Sequence, residues 1–67
     1  MQTVPLDTFL ETMHAKFPNL KSYDETRLFS VLLEAGFEVE FNVTDEGGTS
    51  VTHADLTDEV AAKLSKL

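Results

Sequence analysis

The apolar residues of this chain change their spacing at Gly36, from a period of about 3.6 residues to a period of two. Helix must precede that point and strand must follow it, so neither an all-helical bundle nor an all-β sandwich is open to the sequence. After it, Phe37, Val39, Phe41 and Val43 alternate with Glu38, Glu40, Asn42 and Thr44. Four clean alternations predict a half-buried strand with the first set turned inward. Asp45-Glu46-Gly47-Gly48 then reads as a hairpin turn, with glycines available for positive φ. The return strand, about Thr49 to His53, is weaker and has Val51 as its main apolar residue.

Upstream, Leu6, Phe9, Leu10, Met13 and Phe17 fall on one helical face and predict a helix over 6–17. Pro5 suits its first turn, where the missing N–H is no loss, and Pro18 stops it. Ser22-Tyr23-Asp24-Glu25 has the form of a capping box for a second helix. That helix carries a broad apolar band of Leu28, Phe29, Leu32, Leu33 and Ala35, with Val31 beside it, and ends at Gly36. A band so wide implies contact on more than one side, by the rest of the core or by a second copy of the chain. A last helix is expected from about Leu56 to Leu67, striped by Leu56, Val60, Leu64 and Leu67 and capped by Asp55 or Thr57. Glu59 stands four residues before Lys63, the favourable order for a helical ion pair.

The expected architecture is a single α+β domain over residues 1–67, in the order α-α-β-β-α. The C-terminal helix packs on one face of the small sheet, and one strand edge is left free. The order is similar to a shortened winged helix, but the would-be recognition helix opens with Asp24 and Glu25 and has Arg27 as its only base. That charge is wrong for a DNA groove.

Size limits what such a fold can do alone. At 67 residues the chain is well below a typical domain. It has no cysteine for a disulfide or thiolate metal site, and its two histidines are far apart. Five phenylalanines and a 42% hydrophobic content do supply a core. Stability must come from that core, from self-association or from a partner protein.

Twelve acidic residues face five basic ones, a net charge of −7, and the excess is localised. Residues 1–23 are balanced, and residues 47–67 carry a net −1. Between them, Asp24, Glu25, Glu34, Glu38, Glu40, Asp45 and Glu46 stand against Arg27 alone. On a strand, Glu38 and Glu40 share a face about 6.8 Å apart, close to the step between phosphates on one nucleic-acid strand. These seven carboxylates are the candidate partner-binding residues. They predict a protein partner with a basic surface, with a homodimer as the alternative, and they oppose direct binding to nucleic acid or anionic membrane. The plainer account of the strand pair is that wet strand positions must be polar, and that charge there discourages edge-to-edge aggregation.

Other chemistry is weakly marked. His14 borders the apolar stripe of the first helix, as a structural histidine does. His53 and Asp55 have the spacing to orient an imidazole, but no motif marks a nucleophile. Asp45-Glu46-Gly47-Gly48 lacks the alternating ligands and distal glutamate of a calcium loop. Three glycines do not form a phosphate-binding loop, and Asn42-Val43-Thr44 matches a glycosylation sequon without a secretory signal. No catalytic residue, cofactor or metal is expected. With no signal-peptide pattern and no run of about 20 apolar residues, the sequence predicts a cytoplasmic, non-enzymatic interaction module of regulatory or inhibitory type. The alternative is a nucleic-acid mimic that blocks a basic groove; a small enzyme or ligand carrier ranks below both.

Overall fold

The computed structural model describes all residues from Met1 to Leu67. Its elements are β1 (Gln2–Pro5), α1 (Leu6–Lys16), α2 (Glu25–Glu34), β2 (Val39–Val43), β3 (Thr49–His53) and α3 (Asp58–Ser65), with a 3-10 turn over Pro18–Leu20 between the first two helices. The fold is α+β, as the period switch requires. The sheet is antiparallel in the order β1-β3-β2.

Strand β1 departs from the expected α-α-β-β-α order. Pro5, expected inside the first helical turn, instead ends a four-residue strand opposite Ser50 and is the N-cap of α1. So short a strand shows no alternation of its own; its pairing with β3 defines it. Helix α1 stops at Lys16, because Phe17 adopts φ −131° and ψ 77° before Pro18. Asn19 in the 3-10 turn donates from Nδ2 to the backbone oxygens of Leu64 and Leu67, at 3.0 and 2.8 Å, tying the turn to the end of α3.

The cap of α2 also differs from expectation. Asp24, not Ser22, is the N-cap, and its Oδ1 accepts from the Arg27 N–H at 2.8 Å. Ser22 is held in the preceding turn, where the Tyr23 N–H donates to the Leu20 carbonyl. At the other end the Gly36 N–H donates to the Leu33 carbonyl and the Phe37 N–H to the Leu32 carbonyl, with Gly36 at φ +88°. This Schellman arrangement reverses the chain into β2 and explains why the period changes at Gly36. Helix α3 is shorter than the expected 56–67. Thr57 caps it through the Val60 N–H, and Leu56 packs beside the core from outside the helix.

Twelve apolar residues form one buried cluster. Phe9 is its hub, with ring centroids 5.7 Å from Phe29, 6.5 Å from Phe37 and 5.2 Å from His53. Val51 in the central strand and Leu20, Leu32 and Leu64 are fully enclosed. The inward face expected of Phe37, Val39, Phe41 and Val43 closes only at its start. Phe37 is 3% exposed and Val39 half-buried, but Phe41 is 45% and Val43 76% exposed. Leu33, expected in the apolar band of α2, is also exposed. Three helices of 11, 10 and 8 residues do not reach the end of the hairpin.

Candidate acidic docking surface

The register fixes which side chains share a sheet face. Phe41 pairs with the buried Val51 and meets Phe29 of α2 at 4.4 Å, so the odd-numbered residues of β2 face the helices. Glu40 pairs with Thr52 on the opposite, open face. There the Thr52 hydroxyl lies 2.9 Å from the Thr3 hydroxyl and accepts from Asn42 Nδ2 at 2.8 Å. These bonds link polar side chains of all three strands on the face that carries Glu40. Glu38, two residues before Glu40 and in register with Ala54 through the Ala54 N–H···O bond, is exposed beside the same face.

The other candidates lie in the hairpin turn and at the two ends of α2. Asp45 and Glu46 sit in the hairpin turn, organised by Thr44: its Oγ1 accepts from the Gly48 N–H at 3.0 Å, and Gly47 supplies φ +83°. Glu34 closes α2 just before the reversal at Gly36, and Asp24 and Glu25 open the same helix. All seven carboxylates are exposed, and none lies within 4.0 Å of a cationic nitrogen. The one ion pair of the molecule is Lys63–Glu59, at 3.7 Å and well exposed. Arg27, the only base of the segment, lies 4.8 Å over the Tyr23 ring instead. The seven therefore lie on α2, β2 and the turn, but on two layers: Glu38 and Glu40 by the open sheet face, Asp24, Glu25 and Glu34 on the helical side. Asp24 has a structural task as the cap, and Glu25 suits the first turn of a helix for its charge alone.

Sequence patterning missed two neighbours of this set. Asp55 and Glu59 line a cleft of about 300 Å³ together with Glu38 and Lys63. In the sequence Asp55 reads as a cap candidate for α3 and Glu59 as the helical partner of Lys63, and neither reading places them beside Glu38. A smaller cleft of about 140 Å³ is lined by Phe9, Met13, Phe37, His53 and Leu56 among others, below the roughly 300–1,000 Å³ of common small-molecule sites.

The histidines form no relay. His53 Nδ1 is 2.9 Å from the Ala54 carbonyl, which can only accept, so that nitrogen donates there, in a local bond, and not to Asp55. His14 is half-buried, with Nε2 shielded and unpartnered. No group of histidines and carboxylates is arranged to hold a metal ion. No helix is long and apolar enough to cross a membrane. No known protein family, curated protein or solved structure matches the chain.

Proposed function

We propose that this chain is a non-enzymatic protein–protein interaction module, of regulatory or inhibitory type, that docks its acidic surface onto a basic surface of a partner protein. The observation that supports it is the exposure of Glu34, Glu38, Glu40, Asp45 and Glu46 with no cation against any of them. No lysine pairs with these carboxylates, although Lys63 lines the cleft beside Glu38, and the excess charge attracts cationic surfaces over a Debye length of about 8 Å at physiological salt. A cytoplasmic setting is part of the same proposal.

Charge reversal tests it. The double variant Glu38→Lys/Glu40→Lys is expected to lose at least about tenfold in affinity for a partner isolated with the parent chain by affinity pull-down, mostly through slower association, and to flatten the salt dependence of binding. Affinity and salt dependence both unchanged in this variant would exclude the surface.

A second function has one observation in its favour. Glu38 and Glu40 lie i, i+2 beside the open sheet face, with Asp45 and Glu46 beyond the strand end, a row comparable with successive phosphates. If the chain mimics nucleic acid, a DNA or RNA duplex competes with it for one site on the partner. Simultaneous binding of both to that partner refutes mimicry while leaving the protein–protein function intact.

A further inference from the structure

The backbone of β2 has one ladder and one vacant side. Antiparallel pairing alternates residues whose N–H and C=O point toward the neighbour with residues whose groups point away. The Ala54 N–H donates to the Glu38 carbonyl at 3.1 Å and the Thr44 N–H to the Gly48 carbonyl at 2.8 Å. The even-numbered residues thus face β3, and the peptide groups of Val39, Phe41 and Val43 point outward. Since β2 ends the sheet order, no strand meets them. The other edge is blunted: β1 is four residues long and ends in Pro5, which has no N–H. Edge β2 has no proline, and its register with β3 runs unbroken from Val39 to Val43. It also keeps Phe41 and Val43 exposed beside its outward peptide groups.

We propose that this free edge binds an extended segment of a partner protein as a fourth, antiparallel strand, one alternating apolar with Lys or Arg side chains. This rests on the acidic-surface function above and specifies the partner's chemistry. Charge complementarity selects the occupant. A strand set against β2 places every second side chain over Phe41 and Val43, where apolar groups fit. The intervening side chains fall on the open face, within about 5 Å of Glu38 and Glu40 across the pair, where cations fit. A second copy of the chain meets the same carboxylates with its own and adds another net charge of −7. The glutamates that oppose self-pairing therefore admit a cationic strand. Five residues of edge, about 17 Å, call for about five residues of partner.

The test uses synthetic peptides of about eight residues, matched to a strand plus overhang, with affinity read by fluorescence anisotropy at low ionic strength. One alternates Lys with Val; a block isomer has the same composition with the lysines together. The alternating peptide is expected to bind at least about tenfold more tightly than the block isomer and to slow amide exchange at Val39, Phe41 and Val43. Methylating its Val backbone nitrogens, which face β2, should abolish binding, whereas methylating its Lys nitrogens, which face away, should not. Val43→Pro removes an outward N–H without touching the ladder to β3 and should weaken binding similarly; the methylated peptides do not depend on that variant folding. Equal binding of the two isomers, lost in Glu38→Lys/Glu40→Lys, overturns the edge but leaves the acidic surface standing. Binding of neither peptide overturns both. A dimer in light scattering that Val43→Pro dissolves overturns the cationic strand in favour of a second copy.

Discussion

The cap of α2 separates a structural carboxylate from the docking set. Asp24 accepts from the Arg27 N–H at 2.8 Å, and Ser22 has no bond to the helix. Removing a cap costs about 1 kcal/mol, within a range of roughly 0.5–2. Loss of the negative charge at the helix start adds about 0.3–1 kcal/mol. A chain of 67 residues has an unfolding entropy of roughly 0.14 kcal/mol/K, so 1 kcal/mol moves Tm by about 7 °C. Asp24→Ala should therefore lower Tm by roughly 9–14 °C in thermal unfolding followed by circular dichroism. Asn caps as well as Asp, so Asp24→Asn should lose only the charge contribution, roughly 2–7 °C. Ser22→Ala should stay within about 4 °C of the parent, as surface changes away from caps do. A Ser22→Ala loss equal to that of Asp24→Ala would refute the cap assignment. If Asp24→Asn weakened partner binding as much as Glu40→Gln, Asp24 would belong to the docking surface as well.

Three further substitutions test the parts of the fold that carry this surface. Asn19→Ala breaks two bonds to the end of α3 and should cost about 1–2 kcal/mol, with faster amide exchange in the last turn of α3; unchanged exchange there would show that the tie is idle. Gly36→Ala places a side chain at φ +88° in open space, so only backbone strain opposes it, and a loss of about 1–2 kcal/mol in urea unfolding is expected. A neutral result would mean the reversal into β2 does not need that conformation. Val43→Thr should change stability by less than about 0.5 kcal/mol, since the side chain is 76% exposed; a larger loss would mean that Val43 is covered in solution, and light scattering would then show whether another copy covers it.

What the sequence discloses follows from what each signal physically measures. Hydrophobic period reports which face a residue occupies, so the helices and the strand after Gly36 are legible, and the glycines of Asp45-Glu46-Gly47-Gly48 make the turn legible as well. It does not report whether a neighbour is long enough to cover that face, which is why Phe41 and Val43 are inward by pattern and exposed in fact. Strand β1 is illegible for the opposite reason, because its only specification is the partner across from it. The capping box at Ser22–Glu25 matches in type and spacing, yet the hydrogen bond from the Tyr23 N–H to the Leu20 carbonyl holds Ser22 in the turn before the helix. Among the candidate carboxylates, exposure could be anticipated from composition alone. Their division between two layers, and the presence of Asp55 and Glu59 in the cleft beside Glu38, depend on tertiary placement that no local window contains.

The distribution of polar and apolar groups around β2 also bears on why the charge is there. Aggregation control explains the two glutamates at this edge, but it gives no reason to keep Phe41 and Val43 exposed beside them. Solvation explains polar residues on the open sheet face, but Thr3, Asn42 and Thr52 already provide that in an uncharged, mutually hydrogen-bonded form. Neither explanation predicts an apolar strip and a row of unpaired carboxylates on opposite sides of the same outward-facing backbone. A surface that must accept an amphipathic cationic strand and reject its own copy needs both, since the apolar side provides contact area and the carboxylates decide between partners.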